Sequence, residues 1–218
     1  MTDLLVIGGG AAGLMAAGAA CARGLTVTVL EHNPKGPGQK LLITGKGRCN
    51  VTSDSDVREF LPYVRHNGRF LYSSLYAFPP SAAMELFESL GVPLKTERGN
   101  RVFPQSDKAR DIVDALFFWV KRCGVTIVQE RVTGIQTDET GVVGVKTEGK
   151  LHRADRVIVA TGGKSYPLTG STGDGYAWAQ ELGHKVTPLR ASLVPLVCPG
   201  KTCPRLQGLP LKNVTLTI

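Results

Sequence analysis

The chain has 218 residues, 42% of them hydrophobic, enough for one core or one core with a small satellite. Its 26 glycines and 13 prolines follow no three-residue period, which excludes a collagen-like fibre, and 20% charged residues is ordinary for a globular domain. The net charge of +8 favours anionic ligands, but no basic run exceeds two residues (Lys121-Arg122), so a nucleic-acid partner is not expected.

Leu4-Leu5-Val6-Ile7 is a continuous apolar run, the pattern of a strand buried on both faces. A glycine-rich turn follows, then an alanine-rich helix from Ala12 to Arg23 stopped by Gly24, then a second strand from Leu25 to Leu30. Strand, crossover helix and strand within about 30 residues make a right-handed βαβ unit. The uncharged stretch from Leu4 to Ala22 has no basic leader and is broken by Gly8, Gly9, Gly10, Gly13 and Gly18. Neither a signal peptide nor a membrane span is expected there.

Further along, Ser81 to Leu90 predicts a helix, preceded by Pro79-Pro80 and ended by Gly91. Leu94 to Glu97 and Arg101 to Phe103 flank an Arg98-Gly99-Asn100 turn and read as a hairpin. A helix capped by Ser106-Asp107 is expected to run to Arg122, with Ile112, Leu116, Trp119 and Val120 on one face. Strands follow near Val125 to Val128, Val132 to Gln136 and Val142 to Lys146, and Arg156 to Ala160 predicts another buried strand. Tyr176 to Leu182 is a helix stopped by Gly183. Val214, Leu216 and Ile218 alternate with polar residues as in a strand, so the chain reads as a fragment of a longer protein, with uncovered edges that favour self-association.

Cys21, Cys49, Cys123, Cys198 and Cys203 form no tight framework, which predicts a reducing, cytoplasmic setting. No metal site is expected, because Cys198 and Cys203 lack a second Cys or His pair.

The chemistry gathers in three places. Gly8-Gly9-Gly10-Ala11-Ala12-Gly13 matches G-x-G-x-x-G between a strand and a helix. There Gly8 serves the tight turn, Gly10 the approach of a diphosphate, and Gly13 the helix–strand packing, while the helix start at Ala11 and Ala12 offers unpaired N–H groups. Glu31, with His32 beside it, ends the second strand 18 residues past Gly13, where a carboxylate accepts hydrogen bonds from a ribose. An acid there repels a 2′-phosphate, so FAD or NAD is favoured over NADP. From His32 to Ser53 there is no acid but four bases and four glycines, a loop suited to an anionic cofactor through Lys40, Thr44, Gly45, Gly47 and Arg48. The third place is Ala160-Thr161-Gly162, a strand end of the kind where ligands collect, followed by Thr172 or Asp174 as the cap of the next helix.

Gln39-Lys40-Leu41-Leu42-Ile43-Thr44-Gly45-Lys46-Gly47-Arg48-Cys49-Asn50-Val51-Thr52 resembles the signature of the BaiN/RdsA-type, aminoacetone-oxidase-like family of NAD(P)/FAD-dependent oxidoreductases. Ala160 to Pro167 and Gly170 to Tyr176 resemble a second block of the same family. The resemblance implies an α/β fold: a Rossmann-like FAD-binding domain of the glutathione-reductase type, with a parallel sheet, helices and a β-meander. That domain would occupy residues 1–189, incomplete because family members run to roughly twice this length and return to it at their C-terminal end. Residues 190–218 would begin an inserted β-rich domain. FAD is the implied cofactor, with NAD(P)H as a transient electron donor and a small molecule as substrate. Cys49 and Asn50 would sit by the cofactor, Cys49 packing rather than reacting since no C-x-x-C accompanies it, and the Val132 main chain would meet the adenine. No catalytic acid or base can be named. A tRNA-modifying flavoprotein and a non-catalytic dinucleotide-binding fragment are the competing readings.

Overall fold

The computed structural model describes residues 2–191 and 198–209. The chain divides into two compact units, Met1–Lys185 and Val186–Ile218; the boundary expected between 189 and 190 falls just beyond the first.

The first unit opens with β1 (Thr2–Ile7), α1 (Ala11–Cys21) and β2 (Val27–Glu31), the expected βαβ unit. Then come α2 (Gln39–Ile43), β3 (Thr52–Ser53), α3 (Val57–Phe60), α4 (Tyr72–Ala77) and α5 (Pro80–Ser89). The hairpin β4 (Leu94–Glu97) and β5 (Arg101–Pro104) leads to α6 (Ala109–Arg122) and β6 (Thr126–Gln129). A meander of β7 (Val132–Asp138), β8 (Gly141–Thr147) and β9 (Leu151–Val159) precedes α7 (Asp174–Glu181). In the second unit the described residues hold one short helix, α8 (Thr202–Arg205). The strand expected at Val214 to Ile218 lies outside the described residues.

The main sheet has the order β6-β2-β1-β9-β8-β7. β2 and β9 flank β1 in parallel, and β6 continues the parallel set beyond β2. β9 serves two neighbours in turn: Leu151 to Arg153 pair antiparallel with β8, while the stretch from Ala154 to Val159 runs parallel to β1. A small antiparallel sheet, β3-β5-β4, stands apart.

Both faces of β1 are covered, which explains its unbroken apolar run. On one face Leu4 and Val6 pack with Leu14 and Ala17 of α1 and with Ile112, Leu116 and Val120 of α6. On the other, Leu5 and Ile7 meet Val132, Val145, Ala154 and Trp178. The approach of α1 to α6 is close: a Cβ at Gly18 would stand 2.4 Å from the Trp119 ring.

Two expectations are corrected. Ser106 and Asp107 do not cap α6; Lys108 holds the N-cap position with no side-chain cap. Ser106 Oγ donates to the Asp111 carboxylate, and Asp107 turns instead to Lys95 Nζ at 2.6 Å and Arg48 at 3.2 Å, where two cations outcompete backbone N–H groups. The strand expected from Arg156 to Ala160 forms but is not buried: Ile158 is 38% and Val159 43% exposed. Past Arg153 only β1 pairs with β9 among the described residues, so its other edge is open.

Candidate functional site: a cleft at the strand ends

A cleft of about 730 Å³ lies at the C-terminal ends of β1, β2 and β9. Its floor is the turn after β1, its walls are Glu31 and His32 on one side and Ala160 to Gly162 on the other, and Lys40 and Thr44 border it from the α2 region. This is where an open α/β sheet binds ligands, because the strand order reverses around β1 and the loops part there.

The turn is built for close approach. At Gly8, with φ +100°, a Cβ would stand 2.6 Å from the Ala160 carbonyl oxygen; at Gly13 it would stand 1.8 Å from that of Gly8. Gly13 therefore lies behind the turn, seating α1 against it. On the cleft side a Cβ at Gly10 would meet nothing within 4 Å. The first turn of α1 has no side-chain cap and no acidic residue, so its N–H groups at Ala11 and Ala12 are open to an anion.

Glu31 is held by two main-chain donors: Gly9 N–H to Oε2 at 2.8 Å and Asn33 N–H to Oε1 at 2.7 Å. Each carboxylate oxygen accepts two hydrogen bonds, so both retain capacity for ligand hydroxyls. Lys40 Nζ donates to the Ser165 carbonyl at 2.6 Å, tying α2 to the loop after β9; partial desolvation lowers its pKa.

Where β6 passes into β7, Glu130 and Val132 line the cleft. Glu130 accepts from His152 Nε2 at 2.7 Å and Lys150 Nζ at 2.9 Å, and these bonds hold its carboxyl at about 2. Asp174, also in the cleft wall, lies 3.7 Å from Arg131 and accepts from Thr172 Oγ1 at 2.9 Å. Neither Thr172 nor Asp174 caps α7: the N-cap is Gly173 at φ +87°, and the two side chains satisfy each other instead.

Thirteen of the expected site residues line the cleft together: Gly8, Gly10, Ala11, Ala12, Glu31, His32, Lys40, Thr44, Val132, Ala160, Thr161, Gly162 and Asp174. Gly13 and Thr172 do not, and neither do Gly45, Gly47, Arg48, Cys49 and Asn50: Gly45, Arg48 and Asn50 lie against the small sheet, and Cys49 belongs to the core that holds Leu4 and Val6. Arg48 donates to Glu97 at 2.8 Å and stacks 4.0 Å over the Phe103 ring, so its charge is already matched. Cys49 is buried at 1% exposure, and burial pushes its thiol up, opposed in part by a bond with Thr44. With its amide nitrogen assigned toward them, Asn50 donates to the Thr52 and Val102 carbonyls. Sequence reasoning missed Glu130 and Trp178, which line the cleft from separate segments without a local motif; Ser171 and Tyr176 also line it, from within the Gly170 to Tyr176 block.

Residues 2–215 match the family described as HI0933-like protein Rossmann domain. The chain belongs to the HI0933-like family. Among relatives of this HI0933-like chain, the 3-dehydro-bile acid delta(4,6)-reductase of Clostridium scindens is 35% identical over 198 residues, covering 90% of this chain and 47% of that protein. The ribosomal RNA dihydrouridine synthase of Escherichia coli is 32% identical over 208 residues, covering 95% and 51%. The chain thus spans about half the length of the curated relatives it matches. In fold it is similar to the 3-ketosteroid-delta4-(5alpha)-dehydrogenase of Rhodococcus jostii RHA1, with a TM-score of 0.58, 21% identity, and coverage of 76% of this chain and 46% of that one. The HI0933-like chain carries a Rossmann-like fold, and no helix among its described residues is long and apolar enough to cross a membrane.

Proposed function

We propose that this chain forms the FAD-holding part of a reductase that draws hydride from NAD(P)H. One observation carries the reading: a glycine turn, an uncapped helix start and a main-chain-anchored Glu31 converge on a single cleft at the sheet's strand ends. The residues fit FAD. Ala11 and Ala12 N–H groups would hold the diphosphate, Glu31 would accept from the ribose hydroxyls, and the Val132 main chain would meet the adenine. Thr161, Gly162 and Tyr176 would border the flavin end, with Lys40 supplying positive charge. When bound, FAD supplies the two-electron chemistry; the protein orients it and excludes water from the cleft.

The names of the two relatives share a chemistry, the addition of two hydrogens across a carbon–carbon double bond conjugated to a carbonyl. We infer that this chain serves the same substrate class. A substrate carried on RNA is the second reading, favoured by exposed Tyr63 and Phe70 beside exposed Arg65 and Arg69.

The test is to denature the purified protein, identify the released cofactor, then add NADH or NADPH to the reconstituted form without oxygen. FAD release and bleaching of its absorbance support the reading. Release of NAD alone overturns it, and FAD that no donor reduces marks a non-catalytic dinucleotide-binding module. Steeply salt-dependent RNA binding would select the second reading for the substrate.

A further inference from the structure

Cys21 and Cys123 stand 102 residues apart in sequence and meet in the fold. Cys21 is the last residue of α1, and Cys123 is the C-cap of α6. The two helices lie side by side on one face of the sheet, drawn close where the Trp119 ring rests on Gly18, less than one turn before Cys21. The Cys21 thiol donates to the Cys123 main-chain oxygen at 2.6 Å, and the two side chains are within hydrogen-bonding contact of each other. A disulfide needs two cysteine side chains side by side, and Cys21 and Cys123 are such a pair. Two thiols alone do not make a metal centre, and no cluster of three or more His, Cys, Asp or Glu suited to a metal exists among the described residues.

We propose that Cys21 and Cys123 form a reversible disulfide that staples α1 to α6. The oxidant is a low-molecular-weight disulfide such as oxidised glutathione. One cysteine, as thiolate, attacks a sulfur of that disulfide, giving a mixed disulfide and releasing one glutathione thiolate. The second cysteine, having lost its proton to solvent, attacks the protein sulfur of the mixed disulfide and releases the other glutathione. Two electrons pass from the cysteine pair to the oxidant, and two protons go to water or to the released thiolates.

Both residues are half-buried, and burial together with the neighbouring thiol pushes Cys21 up from the usual range. The exchange is therefore slow at neutral pH and quickens as pH rises, the behaviour of a structural bond rather than a fast sensor. The bond would close a ring of about 100 residues, and the entropy a cross-link removes from the unfolded chain grows with ring length. It would fix the helix whose opposite end faces the cleft.

The full 218-residue chain is equilibrated at about pH 8 with graded ratios of oxidised to reduced glutathione, acid-quenched, alkylated and digested with trypsin. Expected is a linked pair of peptides, Met1–Arg23 with Cys123–Arg131, two hydrogens lighter than their sum and separated by dithiothreitol. The oxidised protein should unfold at least about 4 °C above the reduced form. Cys21→Ser and, independently, Cys123→Ala should each lose both the linked pair and the shift. Separate alkylation of the two cysteines at every ratio, or a glutathione adduct persisting on each, overturns the proposal. So does a linked pair with no rise in unfolding temperature.

Discussion

Glu31 does two things with one carboxylate: it accepts from Gly9 and Asn33 and presents its remaining lone pairs to the cleft. Glu31→Arg should therefore weaken FAD binding by about 1–3 kcal/mol, the scale of losing charge-assisted bonds and stranding their donors. Flavin titration by fluorescence quenching checks this, and unchanged affinity removes Glu31 from the site. Cys49 is the opposite case. Its thiol is buried and pushed up, so a thiolate at neutral pH is disfavoured. Cys49→Ser should keep NADH-driven flavin reduction within about tenfold, or roughly 1.4 kcal/mol of barrier. A loss of several orders of magnitude with FAD still bound would make Cys49 a reacting group.

At the scale of elements, Glu130 between β6 and β7 holds Lys150 and His152 at the start of β9, joining the parallel sheet to its meander. Its folded-state value of about 2 lies below the ordinary 4.5, so this contribution to stability is present above pH 4.5 and lost as pH falls through 2. Acid unfolding followed by circular dichroism should show less stability lost between those limits in Glu130→Gln than in the parent. The elements themselves were largely legible: the βαβ unit, the β4–β5 hairpin, β7 and β8 followed from apolar runs and turn residues, whereas the meander came from the family resemblance and the antiparallel start of β9 at Leu151 to Arg153 lay outside the expected strand. So was half of the cleft, because Gly8 to Gly13 and Glu31 form one local motif. The basic loop was read less well. Sequence shows Arg48 without a nearby acid, yet Glu97 and Asp107 come to it from 49 and 59 residues away, and that match is made only by folding. Glu130 and His152 were hidden for the same reason.

For the molecule as a whole, the open stretch of β9 dominates. From Arg156 to Val159 its outer edge has no partner among the described residues, and Ile158 and Val159 stand partly exposed beside it. Unpaired backbone next to apolar surface promotes strand-to-strand association. Light scattering should show the chain associating in a concentration-dependent way, and Ile158→Lys should reduce that association while leaving the far-ultraviolet spectrum unchanged. A monodisperse monomer for the unaltered chain would mean that this edge is already covered.

The bond from Lys40 Nζ to the Ser165 carbonyl joins the α2 side of the cleft to the loop after β9. If the dinucleotide fills the space between those walls, it would compete with that bond for the same ammonium, and loading would take two stages in time: a weak, rapid encounter, then a slower step in which Lys40 exchanges its carbonyl partner for the ligand. Stopped-flow mixing with FAD should resolve two phases, the slower independent of FAD concentration. In Lys40→Met that slower phase should merge with the first, so that the side chain sets the residence time of the cofactor as well as its charge environment.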